Sequence, residues 1–270
     1  MCANFFGLNA VNNSGVKGIY STQRINQNPY FSFGQAGLDR DKFEYNSNSI
    51  NRYTTEASLK NAVQQNPNIR QILSENGMPV ELHMENLRNV LANHSTDTQN
   101  IAMGIYDHLS ASIKSEVNKQ SLKDACYLHD VGKVLIPDEI LKKPDKLTPE
   151  EQKIMHTHSL LSYELLKNSD INPQTLNLIK YHHQNSAKNG YPVAEKDFND
   201  DANLEVLSLA DKYSALTEKR SYKEPLSPEK ALAILYKDVK NGKTNPNIFQ
   251  ALVAYTRDVN TQNDLMKSAA

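Results

Sequence analysis

Two adjacent pairs of metal-ligating side chains stand out along the chain, His129-Asp130 and His182-His183. Neighbouring residues on a helix point about 100° apart, so such a pair reaches a common centre only from the end of an element. A carboxylate held there can bridge two ions. His94, His158 and Asp211 add three further candidate ligands. Five imidazoles and two carboxylates suit Fe, Mn or Zn better than Mg or Ca. Two such ions about 3.5–4 Å apart would share a bridging water, lower its pKa and polarise the oxygens of a phosphodiester. That chemistry needs no protein nucleophile, and the sequence contains neither a GxSxG string nor a reactive-cysteine motif. Taken singly, each residue has an ordinary reading: a packed or capped helical histidine, a chance HD dipeptide, a surface HH pair. Their order and spacing along one chain carry the signal.

The elements that must position these residues read as helices. Asn66-Pro67 opens a short helix that stops at Gly77, and a long helix follows His94 with Ile101, Ile105, Leu109 and Ile113 at four-residue steps. Ser121 with Asp124 resembles a capping box for the helix leading to His129, and Gly132 suits its end. Thr148-Pro149-Glu150-Glu151 is a stronger start signal, with a Thr cap, Pro at the first position and Glu at the third. Asn172-Pro173, Ser227-Pro228-Glu229 and Asn245-Pro246 mark further starts, and residues 202–218 form another helix with Leu204, Leu207 and Ala210 on one side. No alternating segment argues for a strand, so an all-α bundle is expected over residues 57–270, its last helix ending near 265. Residues 1–56 are rich in Asn, Ser and Gly and show no sustained period, which predicts a poorly ordered tail. Its aromatics, among them Phe5, Phe6, Tyr30, Phe31 and Phe33, allow docking onto the domain or a protein partner.

Composition narrows the function classes. A net charge of −1 implies no basic patch, which argues against bulk nucleic acid as a partner. The two cysteines, Cys2 and Cys126, lie outside any CxxC spacing and suggest neither a disulfide framework nor a thiolate zinc site. No signal peptide and no run of about 18 apolar residues is seen, so the expectation is a cytoplasmic protein without membrane spans.

The ligands fall within a longer string: HS at 94–95, LHDVGK at 128–133, IP at 136–137, HTHSLLSYELL at 156–166, YHHQNSAKNGYP at 181–192, LADKYSAL at 209–216 and KRSYK at 219–223. From about 85 to 240 this order resembles the HD-GYP family of HD-domain phosphohydrolases. The resemblance implies an HD-domain-like helical bundle and hydrolysis of a cyclic dinucleotide, above all cyclic di-GMP, to the linear dinucleotide or GMP. It also implies a two-metal site holding Fe or Mn, or else Zn. One ion would take His94, His129, Asp130 and Asp211, and the other Asp130, His158, His182 and His183. Asp130 would be the bridge and Lys133 would lie beside the reacting phosphate, where it could neutralise developing charge. In the HTHS segment His158 is the better match, which leaves His156 on the helix surface. Gly190, Tyr191 and Pro192 would shape the substrate entrance, although the same residues read as a plain turn in which Gly adopts positive φ. Arg220 and Lys223 would contact the dinucleotide.

Several positions depart from the family pattern. Gln184 follows the histidine pair where the family usually has Glu, and Ala187-Lys188-Asn189 lacks the usual acidic residue before the Gly-Tyr-Pro turn. Ser162 and Ser214 stand in place of Gly and Asp, and Val90 occupies the place of an extra Glu ligand in some members. None removes one of the seven ligands, but such changes bear on the residues that support ligands and substrate. Two other readings therefore stay open: an HD-type phosphohydrolase acting on another nucleotide, and a non-catalytic HD-type signalling or binding module.

Overall fold

A computed structural model of the chain describes residues 50–218 and 224–269, with side chains as far as 262. The expectations for residues 1–49 and for Arg220 and Lys223 fall outside the described residues. Among the described residues there is no strand. The α-helices run in the order α1 (Glu56–Gln65), α2 (Pro67–Glu75), α3 (Met84–Val90), α4 (Thr96–Asp107), α5 (Ala111–Glu116), α6 (Lys119–Leu128), α7 (Asp138–Leu141), α8 (Pro149–Leu166), α9 (Pro173–Tyr181), α10 (Ala202–Thr217), α11 (Pro228–Lys240) and α12 (Pro246–Ala269). Short 3-10 turns at Asn51–Thr54 and Val131–Leu135 and a π turn at Leu91–Ser95 complete the pathway. Asn51–Thr54 and Glu56, ahead of the boundary that composition suggests, are thus helical, with Thr55 as the extended cap between the two elements. Arg52 and the Tyr53 hydroxyl both reach the Asp170 carboxylate, at 2.6 Å each.

Local chemistry explains most of the boundaries. Thr148 and Glu151 form the reciprocal capping box on α8, with Pro149 pre-set for the first turn. Asn66, Asn172 and Ser227 cap α2, α9 and α11 through their side chains. Gly77 takes a φ of +65° just beyond α2, a conformation that glycine adopts without steric cost.

Two boundaries differ from the sequence expectation. The cap of α6 is Asn118, whose side chain accepts from the Ser121 N–H, while Ser121 is buried one turn inside the helix. The stripe Ile101, Ile105, Leu109, Ile113 is interrupted, because α4 ends at Asp107 and Ser110 caps a new helix through the Ile113 N–H. Leu109 stays buried in the turn, so four-residue apolar spacing persists across a break in the helix.

The core explains how the candidate ligands meet. Leu204, Val206, Leu207, Leu209 and Ala210 of α10 are all buried, so this helix is apolar around most of its circumference. It packs on α4, which packs on α6, while α9 lies against both α6 and α8. Burying each large aliphatic side chain here contributes roughly 1.5–3 kcal/mol. The 3-10 turn after α6 packs closely on α8, and the reason is Gly132. A Cβ at that position would collide with the His158 carbonyl and sit 2.5 Å from the Ser162 nitrogen. Gly132 therefore permits a backbone-to-backbone approach that joins the His129-Asp130 segment to the helix carrying His158. No helix among the described residues is long and apolar enough to cross a membrane.

Candidate metal centre

The seven candidate ligands converge from five segments. His94 lies in the π turn between α3 and α4, a distortion that recurs at functional sites. His129 and Asp130 follow the end of α6, His158 sits midway along α8, His182 and His183 close α9, and Asp211 projects from α10. All are buried except His183, which is partly exposed. Their donor atoms form overlapping groups: His158, His182 and His183; His94, His129 and Asp211; His129, Asp130 and His182. Within each group the atoms lie within 4.8 Å of one another.

Asp130 is the connecting residue. Its carboxylate lies 3.3 Å from His129 Nε2, 3.3 Å from His158 Nε2 and 3.5 Å from His94 Nε2. Asp211 stands 2.9 Å from His94 Nε2 and 3.7 Å from His129 Nε2. On the other flank, His158 Nε2 is 3.3 Å from His182 Nε2 and 3.1 Å from His183 Nε2. Lys133, one turn beyond Asp130, donates to its second oxygen.

Three imidazoles are oriented by the chain itself. His129, His158 and His182 each place Nδ1 within 2.6–2.8 Å of the backbone carbonyl three residues earlier, at Cys126, Met155 and Ile179. A carbonyl only accepts, so all three rings carry a proton on Nδ1; His158 and His182 turn an Nε2 lone pair toward the centre, and His129 does so once it has lost its second proton. Such outer hydrogen bonds fix tautomer and ring angle in metal-binding histidines. Burial pushes His158 down to about 4. Burial, together with His129 and His158, pushes His182 to about 3. Both are neutral donors at pH 7. Burial also disfavours the charged form of His129, but the Asp130 and Asp211 carboxylates outweigh it and raise this group to about 10. Asp130 is held well below the usual carboxylate range against the effect of its burial, chiefly by Lys133 and His129.

These residues fit metal ions. His129 Nε2 and Asp130 Oδ1 are buried and have no hydrogen-bond partner. An unpartnered buried polar atom is costly, and here both atoms belong to the cluster of converging ligand atoms. A cation held by nitrogen and carboxylate donors would satisfy both.

The proton on His129 gives a first expected result. With a pKa of about 10 in the metal-free protein, His129 is protonated at pH 7 and must lose that proton to become a ligand. Loading the site should therefore release protons, and apparent metal affinity should rise by about tenfold per pH unit for each proton displaced. Metal titrations at pH 6, 7 and 8 check this; equal affinity at all three would show that metal binding displaces no proton from His129.

Three of the positions that depart from the family pattern, Ser214, Ser162 and Gln184, are tied into the site. The Ser214 hydroxyl lies 3.2 Å from His94 Nδ1 and holds the outer side of that ring. Ser162 accepts from the Gly132 N–H at 2.7 Å, fastening the contact that glycine makes. Gln184 is buried beneath the Gly190-Tyr191-Pro192 turn. Glu218, which sequence reasoning did not single out, stands 3.4 Å from His94 Nδ1. Its signal was present in the spacing: Asp211, Ser214 and Glu218 repeat at three and four residues, and Glu218 stands just past the end of α10.

The structure also separates the two histidines of the HTHS segment. His158 is in the centre, whereas His156 is exposed and stacks on Tyr191 with centroids 3.8 Å apart and planes 11° apart. Tyr191 lies 4.6 Å from His183, so the turn borders the cluster. The glycine of that turn is not used for positive φ. Lys188 takes the left-handed conformation, with φ 53°, while Gly190 allows close approach to His183 and Gln184.

Comparison with known proteins agrees with this architecture. Residues 98–248, more than half the chain, match the model of the HD domain family, and the chain belongs to that family. It is 36% identical over 156 residues to a probable cyclic di-GMP phosphodiesterase of Vibrio cholerae, covering 53% of this chain and 35% of the relative. It is 32% identical over 148 residues to a cyclic di-GMP phosphodiesterase of Thermotoga maritima, covering 54% and 40%. A 3′3′-cGAMP-specific phosphodiesterase of Vibrio cholerae is 36% identical over 124 residues, covering 45% and 23%. The chain thus spans well under half the length of these curated relatives.

Proposed function

We propose that the chain is a metal-dependent phosphodiesterase that hydrolyses a cyclic dinucleotide, cyclic di-GMP before others, to the linear dinucleotide or GMP. The observation that carries this reading is the convergence of five histidines and Asp211 with Asp130, with Lys133 against it. The donor set favours two divalent transition-metal ions, Fe or Mn ahead of Zn. His94, His129 and Asp211 would hold one ion and His158, His182 and His183 the other, with Asp130 between them. When bound, the ions would supply Lewis-acid activation of water and of the phosphodiester.

The chain's own residues have separate tasks. The Nδ1 hydrogen bonds of His129, His158 and His182 hold the rings in one tautomer, and Ser214 and Glu218 hold His94. Lys133 is the only lysine against Asp130 among the described residues, and it is partly exposed. From there it can turn toward a phosphate and neutralise charge that develops on it. Gly190, Tyr191 and Pro192 form a wall next to His183. Arg220 and Lys223 are assigned to the dinucleotide from the sequence alone. Arg offers a bidentate fork and Lys a point charge.

The 3′3′-cGAMP-specific relative supports a second reading, in which a mixed cyclic dinucleotide is preferred. A non-catalytic module is disfavoured because a buried, partly unpartnered cluster of this size would be costly to keep without a ligand. Product chromatography with metal-loaded protein on cyclic di-GMP, 3′3′-cGAMP and cyclic di-AMP is the test. Fastest turnover of cyclic di-GMP is expected. Preference for 3′3′-cGAMP would establish the second reading, and no cleavage of any of them would contradict both.

A further inference from the structure

Gln184 immediately follows the His182-His183 pair and is only 3% exposed. Two backbone donors converge on its side-chain oxygen, Asn185 N–H at 3.2 Å and Gly190 N–H at 2.9 Å. Its amide nitrogen donates to the Pro192 carbonyl at 2.7 Å. This pattern fixes which way the amide faces. Reversed, it would set its NH2 against two donors and its oxygen against a carbonyl. The amide therefore spans the loop, accepting at one end and donating at the other.

The rest of the loop is built around this clamp. A Cβ on Gly190 would collide with the His183 carbonyl and stand 2.8 Å from Gln184 Cα, so the chain passes directly over the end of α9. Tyr191 N–H donates to the His183 carbonyl at 3.3 Å. Asn185 ties the far side through its side chain, donating to Asn189 Oδ1 and accepting from the Ala187 N–H. What the closed loop presents is Tyr191, 4.6 Å from His183, 6.1 Å from His158 and stacked on His156.

We infer that Gln184 is a positioning residue that fixes Tyr191 as the wall of the centre beside His158 and His183, and thereby sets substrate affinity, not metal retention. This rests on the phosphodiesterase reading. The hydrogen bonds of the Gln184 side chain go to the loop, to Asn185, Gly190 and Pro192, and not to the seven candidate ligands. Loss of the clamp should let Tyr191 move while the histidines keep their backbone-anchored orientation.

The test replaces Gln184 in the full chain. Gln184→Met keeps similar volume and removes both donor and acceptor. Hydrogen exchange at the Asn185 and Gly190 amides should accelerate by roughly tenfold, since each loses its only acceptor in the loop. KM for cyclic di-GMP should rise by roughly tenfold, with kcat within about threefold and metal content unchanged. Gln184→Glu keeps the acceptor but sets an oxygen against the Pro192 carbonyl. It should raise KM while leaving Gly190 exchange nearer wild type, and it decides the matter if the Met variant does not fold. Wild-type exchange and KM in the folded Met variant, or wild-type KM in the Glu variant, would overturn the inference. So would loss of metal in parallel with kcat. If the wild-type protein cleaves no cyclic dinucleotide, the functional reading falls and takes the affinity role with it. Unchanged exchange in an active enzyme overturns the clamp alone.

Discussion

Asp130→Asn should leave the protein folded, strip it of most of its metal and bring phosphodiester hydrolysis below detection. The substitution preserves shape and removes one charge. That charge is the common neighbour of His94, His129 and His158, and it pairs with Lys133. An amide can neither bridge two cations with the same strength nor hold His129 at a raised pKa. Loss of residues that merely support ligands commonly costs 10–100-fold in metal affinity or activity, so loss of the shared ligand should exceed roughly 100-fold. Folding should survive, because Lys133 is partly exposed and can turn to water, and His129 can release its proton. Circular dichroism, metal per chain and kcat/KM measured together decide the matter. An Asn variant with wild-type metal and activity would show that Asp130 is not the bridge.

The second large effect separates two histidines two positions apart. His158→Ala should abolish activity and lose metal from the group that His182 and His183 share, because it removes a neutral donor within 3.3 Å of both. His156→Ala should keep full metal content. Its ring meets Tyr191 and none of the ligand atoms, and an aromatic contact of this kind is worth about 0.5–1.5 kcal/mol. A change in KM of about tenfold or less is therefore the ceiling for His156→Ala. The opposite result, an inactive His156→Ala beside an active His158→Ala, would mean that α8 presents its other histidine to the centre.

Much of this was legible in the sequence because short-range chemistry decides it. Thr148-Pro149-Glu150-Glu151 caps α8 as its residue types dictate, and Asn66, Asn172 and Ser227 each precede a proline that cannot continue a preceding helix. The ligand candidates were legible because His-Asp and His-His pairs at helix ends, with three further ligands between and around them, are a rare arrangement.

What stayed hidden depends on contacts between segments distant in sequence. Gly132 looked like a helix terminator, but the residue it must avoid is His158, on another helix. Ser214, Ser162 and Gln184 looked like losses when compared with a family pattern. Each makes a hydrogen bond whose partner only the fold reveals: His94, Gly132, and the Gly190 and Pro192 backbone. The break after Asp107 falls within an unbroken apolar period, which cannot signal it, and the π turn at His94 lies ahead of that period. Glu218 follows the end of the helix that carries Asp211 and Ser214, and its role follows only once His94 is seen across from it.

The most direct test is the metal content of anaerobically purified protein after reconstitution with Fe or Mn, set against the same measurement on Asp130→Asn. Two groups of donors joined by one carboxylate predict about two ions per wild-type chain and a marked loss in the variant. Less than about half an ion per wild-type chain would contradict the assignment of these seven side chains as a metal centre.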